Sequence, residues 1–224
     1  MQAHKSKALD DYIEYPQATM AQRADDWYEQ IKRRHSIRQF SSRSVPQHII
    51  ETCIKAAGTA PNGANHQPWH FVAISSQNVK REVREQAEAH ERRFYEGSAS
   101  EEWLTALKPL GTDAEKPYLE TAPWLIAIFS QKNTQQDSGK KKQNYYVHES
   151  VGIATGFLIA ALHNAGLATL THTPKPMSFL SKICQRPDDE RPYMLLVAGY
   201  PSEDATVPYH ALKKKSLDEI ATFM

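Results

Sequence analysis

Apolar positions change their period several times along the chain, and each change marks an element. From Ala21 to His35 the residues Trp27, Tyr28 and Ile31 recur at helical spacing. Pro46 then stands where the first turn of a helix accepts proline. Ile49, Ile50, Cys53, Ile54 and Ala57 form one apolar stripe behind it, and Gly58 ends the stripe. After Pro68 the run WHFVAIS has the aromatic and β-branched content of a strand, and a polar helix from about Gln77 to Glu91 follows. Residues 92–120 alternate short helical hints with Gly and Pro, the pattern of a lid or binding loop. WLIAIF, residues 124–129, reads as a buried strand, and a polar loop through Gly139 and three lysines, Lys140 to Lys142, reads as a solvated face.

The longest predicted helix, Tyr145 to Ala165, is apolar almost all round in its second half, which fits the centre of a domain or a subunit interface. Gly152 and Gly156 would let another backbone approach it. Gly166 closes it; Leu167 to Thr171 and Tyr193 to Gly199 read as strands, and Met177 to Cys184 as a short helix. Residues 1–20 are polar and proline-interrupted, an arm in need of another surface, so 21–224 is expected to be a single α+β domain with a sheet covered by helices. Strand order and direction stay open at this level.

Composition narrows the partners. With 27 Lys and Arg against 26 Asp and Glu the net charge is +1, which argues against nucleic acid and against attachment to a membrane by charge, and for a small-molecule partner. Cys53 and Cys184 belong to no metal-binding or disulfide spacing, so no metal is expected. The N-terminus has no apolar core of signal-peptide length, and His148 and Glu149 interrupt the one long apolar helix. A soluble, cytoplasmic protein without a membrane partner is the expectation.

Four short stretches carry candidate chemistry, and each has a plain alternative. RRHSIR, residues 33–38, offers three guanidiniums, an imidazole and a hydroxyl to a phosphate, or complements a helix dipole. In GTAPNGANHQPWHF, residues 58–71, the turn Pro61, Asn62, Gly63, Ala64 would let a flat ligand approach the backbone, Gly63 permitting unusual dihedrals, or is an ordinary helix-to-strand turn. THTP, residues 171–174, sits where a strand stops, within reach of a ligand or simply turning the chain. Glu91 and Tyr95 share a helix face, and with Lys116 they could chelate the ammonium and carboxylate of an amino acid, or form a surface ion pair.

Taken in order with KPYLETAP, GKKKQNYY, AGLATLTHTP and GYPSEDATVP, these stretches resemble the iodotyrosine deiodinase branch of the nitroreductase superfamily over residues 25 to 220. The resemblance implies a nitroreductase-like fold with a central mixed sheet, a domain-swapped homodimer and an FMN cofactor. It implies that Arg34, His35 and Ser36 hold the phosphate and ribityl end of FMN, with Lys214 as a further phosphate contact. Arg38 would reach the pyrimidine edge, favouring the reduced anionic flavin. Pro61, Asn62 and Gly63 would face the flavin; Thr173 would stand beside N5, with Thr171 and His172 along the same edge. Ala64, Glu91, Tyr95 and Lys116 would bind a halotyrosine under a lid at about 91–117. His35 stands where the family usually has arginine, and Asn62 where it more often has serine. The implied activity is FMN-dependent reductive dehalogenation of halotyrosines, with electrons from NAD(P)H or a partner reductase. The alternatives are a broad NAD(P)H-dependent nitroreductase or quinone reductase, and a flavin-binding protein without turnover.

Overall fold

Strand β2 (Trp124–Gln131) is the hydrophobic centre of the molecule in the computed structural model, which describes residues 5–135, 139 and 141–224. Its near-continuous apolar run has a physical reason, because both faces of the strand are covered. Leu125, Ala127 and Phe129 point into one core, while Trp124, Ile126 and Ile128 point into the other. Three further strands complete the sheet: β1 (Trp69–Ile74), β5 (Ala168–His172) and β6 (Glu190–Gly199), in the order β1-β2-β6-β5. All pairings between these strands are antiparallel. The parallel component of the expected mixed sheet is the bridge between Ser36 and Thr169, reinforced by the Ile37 N–H donating to the Thr169 carbonyl at 3.2 Å.

Helices α2 (Gln47–Ala57) and α6 (Val147–Asn164) cover one face of the sheet, with Ile50, Cys53, Val151, Leu158 and Leu162 in the core they share with it. On the other face lie α3 (Gln77–Arg93), α5 (Tyr118–Thr121) and α7 (Phe179–Ile183), contributing Val83, Ala87, Leu119, Phe179 and Leu180. Lys80 is buried in α3 because its ammonium caps α5, donating to the Ala122 carbonyl at 2.7 Å. The irregular segment forms a π-turn (Phe94–Ser98), helix α4 (Glu101–Leu107) and a 3-10 turn (Lys108–Leu110). The Ser100 hydroxyl accepts from the Trp103 N–H at 3.2 Å and so fixes the start of α4.

Two elements differ from their sequence pattern. The polar loop after β2 contains a hairpin of β3 (Asn133–Gln135) and β4 (Lys141–Gln143), too short for a hydrophobic alternation to announce it. Lys141 and Lys142 are exposed on it as expected, Lys141 meeting Asp189 at 3.1 Å, while Lys140 falls outside the described residues. Helix α1 (Gln17–Ile31) begins behind Pro16, inside the expected arm, and ends before the basic run. Arg33 and Arg34 follow its C-terminus directly, their N–H groups donating to the Gln30 and Ile31 carbonyls at 3.3 and 3.0 Å, so the helix-dipole reading of that run stands beside the phosphate one.

The chain forms two compact units that meet in sequence at Arg34 and His35, rather than at residue 20. In the first, α1 buries no residue, and Trp27 and Tyr28 are exposed. The second, from His35, contains the sheet and both cores. Two short helices, α8 (Tyr209–Leu212) and α9 (Leu217–Ile220), end it. No helix among the described residues is long and apolar enough to cross a membrane.

Candidate active site

The end of β5 opens into a cleft of ≈ 340 Å³. Arg38, Thr171, His172 and Thr173 line one part of it, and Glu91, Tyr95, Thr112 and Lys116 another. Phe94, Trp103 and Leu107, from the irregular segment, supply an apolar wall. Trp103 meets Phe94 edge to face with 5.2 Å between ring centroids.

The structure brings Lys116 to Glu91 and Tyr95, the pair that the spacing predicts on one face, with Lys116 buried rather than on a surface. The Lys116 ammonium lies 3.5 Å from Glu91 Oε2 and 5.6 Å from the centre of the Tyr95 ring. It also donates to Thr112 Oγ1 at 3.2 Å and to the Asp113 carbonyl, so its three protons are all engaged. Glu88, one turn before Glu91, accepts the Lys116 N–H at 2.7 Å and holds the backbone there. The Tyr95 hydroxyl donates to the Thr112 carbonyl at 3.2 Å. Burial pushes the Glu91 carboxyl above its ordinary value, and the Lys116 ammonium opposes that rise. Burial likewise raises the Tyr95 hydroxyl.

The other part of the cleft is poor in partners. Arg38 is half-buried and makes no ion pair among the described residues, and the exposed hydroxyls of Thr171 and Thr173 make no hydrogen bond there. An unpaired guanidinium and two idle hydroxyls at a strand end fit an anionic, acceptor-rich group such as a flavin ring. His172 is buried, and burial first, then the nearby Lys116 charge, lowers its imidazole to about 3. Tyr118, at the head of α5, is a site residue that the sequence motifs did not single out, although it stands two positions after Lys116 in KPYLETAP. Its hydroxyl lies 3.4 Å from His172 Nδ1.

Other expected site residues lie elsewhere in the structure. Arg34 ends the first unit; His35 is half-buried, and Ser36 forms the bridge to Thr169. Pro61, Asn62, Gly63, Ala64 and Lys214 do not line the cleft. The Lys214 ammonium donates to the Ala211 carbonyl at 2.7 Å on the exposed end of α8. Asn62 closes its own turn, with Nδ2 donating to the Ala60 carbonyl at 3.1 Å and Oδ1 accepting from the Gln67 N–H at 2.7 Å.

Gly63 requires a correction, because it is not the residue with unusual dihedrals. The left-handed positions are Ala64 (φ 50°), Asn65 (φ 54°) and Gln67 (φ 48°). Gly63 is needed for space instead: a Cβ there would stand 2.7 Å from the Tyr145 carbonyl oxygen.

The model of the nitroreductase family matches residues 31–200, which take in the sheet and the cleft lining, and the chain belongs to that family. Within it the chain is similar to iodotyrosine deiodinases. It is 48% identical to iodotyrosine deiodinase of Haliscomenobacter hydrossis, over 88% of this chain and 89% of that one. It is 44% identical to iodotyrosine deiodinase 1 of Homo sapiens, over 92% of this chain and 71% of the human protein. A crystal structure of oxidized iodotyrosine deiodinase bound to FMN and 3-iodo-L-tyrosine matches with a TM-score of 0.73 at 30% identity, over 88% of this chain and 100% of that one.

Proposed function

We propose that this protein is an FMN-dependent reductive dehalogenase of halotyrosines. The observation that carries the reading is the meeting in one cleft of a Glu91, Tyr95 and Lys116 cluster with an unpaired Arg38 and the free hydroxyls of Thr171 and Thr173. Glu91 would take the ligand's ammonium, while Lys116 and Tyr95 take its carboxylate. Because the Lys116 ammonium already has three partners, a carboxylate must displace one of them, which links binding to movement of the 112–116 backbone. Closure of the segment 91–117, led by Trp103 and Leu107, would exclude water from the aromatic ring.

Arg38, Thr171, His172 and Thr173 would hold the flavin edge, and Arg34, His35, Ser36 and Lys214 its phosphate end. FMN, when bound, supplies the two electrons; the halotyrosine takes these with one proton and leaves as tyrosine and halide. The Arg38 cation would favour negative charge on the flavin, and the Thr173 hydroxyl would donate a hydrogen bond to it.

The turn 61–64 lies outside the cleft of its own chain, so the reading includes a domain-swapped homodimer in which a second copy brings that turn to the flavin. Ile153 and Phe157, 41% and 43% exposed on α6 beside Gly156, supply an apolar face for that copy. NAD(P)H or a partner reductase would provide electrons, and the two free cysteines are in keeping with a reducing, cytoplasmic setting.

The test is a single anaerobic turnover. FMN-loaded protein is reduced, mixed with a halotyrosine, and assayed for halide and tyrosine in equal amounts. Flavin reoxidation by nitroaromatics or quinones with no halide released would replace the reading with a broad nitroreductase.

A further inference from the structure

Tyr118 has no part in the reading above, and His172 has only a place on the flavin edge. Both are buried, at 8% and 7% exposure, and both line the cleft. The 3.4 Å contact of the Tyr118 hydroxyl with His172 Nδ1 is accompanied by an edge-to-face meeting of the rings at 6.0 Å. Tyr118 opens α5 two residues after Lys116, and His172 ends β5 between Thr171 and Thr173. The Tyr118 hydroxyl also feels charge from Glu91, Tyr95 and Asp113 at the amino-acid end of the cleft, and from Arg38 at the flavin end. The pair therefore spans the two ends. Nε2 of the same imidazole is buried without a partner, so the ring's hydrogen bonding rests on Nδ1.

We propose that Tyr118 and His172 are a positioning pair: their hydrogen bond ties the segment carrying Lys116 to the strand end carrying Thr171 and Thr173, and so sets the distance between the zwitterion site and the flavin edge. The inference rests on the halotyrosine reading, since only a ligand that engages both ends at once requires that distance to be fixed. A buried pair is suited to the task, because each partner loses its hydrogen bond if the other moves. Sites held within about half an ångström depend on such supporting contacts.

The imidazole's two nitrogens allow a clean test. The amide of asparagine reaches about as far as Nδ1, and that of glutamine about as far as Nε2. The variants His172→Asn, His172→Gln and Tyr118→Phe, and the double variant Tyr118→Phe with His172→Gln, are loaded with FMN. Calorimetry then measures 3-iodotyrosine binding to the oxidised protein, with FMN content and thermal midpoint recorded for each. Expected is a loss of about tenfold in affinity for His172→Gln and for Tyr118→Phe, no further loss in the double variant, and a clearly smaller loss for His172→Asn than for His172→Gln. If glutamine preserves binding and asparagine does not, Nε2 is the working atom and the pair is refuted. Additive losses, or changes that follow thermal midpoint alone, refute it as well. Wild-type protein that holds FMN yet binds no iodotyrosine would overturn the halotyrosine reading itself, and the pair's proposed task with it.

Discussion

Single residues decide the site. Lys116 is the most constrained, with its ammonium buried at 3% exposure between Glu91, Thr112 and Asp113. Lys116→Met should leave FMN bound while lowering halotyrosine affinity about 100-fold or more, because a buried carboxylate loses its partner and the ligand loses its cation. Calorimetry on the FMN-loaded protein checks this, and unchanged halotyrosine affinity would remove the zwitterion assignment. Helical spacing placed Glu91 and Tyr95 on one face, and the motifs joined Lys116 to them, so this cluster was legible before any coordinates. Tyr118 was not legible, because its role depends on an edge strand over fifty positions later folding back against α5. Gly63 was legible as a special position but for the wrong reason, since a composition of small residues does not distinguish free dihedrals from close approach.

At the scale of elements, apolar periodicity located the main helices and sheet strands and failed where burial was slight. The hairpin of β3 and β4 is polar on both sides and α1 buries nothing, so neither gave the pattern a firm boundary. The join between α7 and β6 shows how polar groups fix elements that periodicity only locates. Arg186 grips the buried Glu190 with two bonds, 2.6 Å to Oε2 and 2.7 Å to Oε1, and Gln131 of β2 adds a third at 2.9 Å. Burial would raise this carboxyl, but the hydrogen bonds from Arg186 and Gln131 outweigh it and hold the value below the ordinary one. The unfolded chain then binds the proton more readily than the fold does. The stabilisation is present above the ordinary carboxyl value and is lost as pH falls through the lowered one. Glu190→Gln should cost about 3 kcal/mol at neutral pH and flatten the acid limb of the stability curve, as read by denaturant titration at several pH values.

For the whole molecule, the proposed homodimer rests on the exposed apolar residues of α6 and on turn 61–64 lying outside the cleft lining. Phe157→Glu should convert a homodimer to monomers on light scattering and lower FMN occupancy with it. A monomeric wild type that keeps FMN would sink the dimer. The same turn has a bearing on attempts to make the protein more heat-resistant. Ala64 and Gln67 sit in a left-handed conformation that L side chains resist by about 1–2 kcal/mol each, so Ala64→Gly should raise the denaturation midpoint, with a gain of about 1 kcal/mol. Selection in the laboratory for thermal endurance alone would drift toward glycine at these two positions. In the proposed homodimer the same drift would slacken a loop that the neighbouring copy's catalysis would depend on, so hardier variants from such a screen should be slower enzymes.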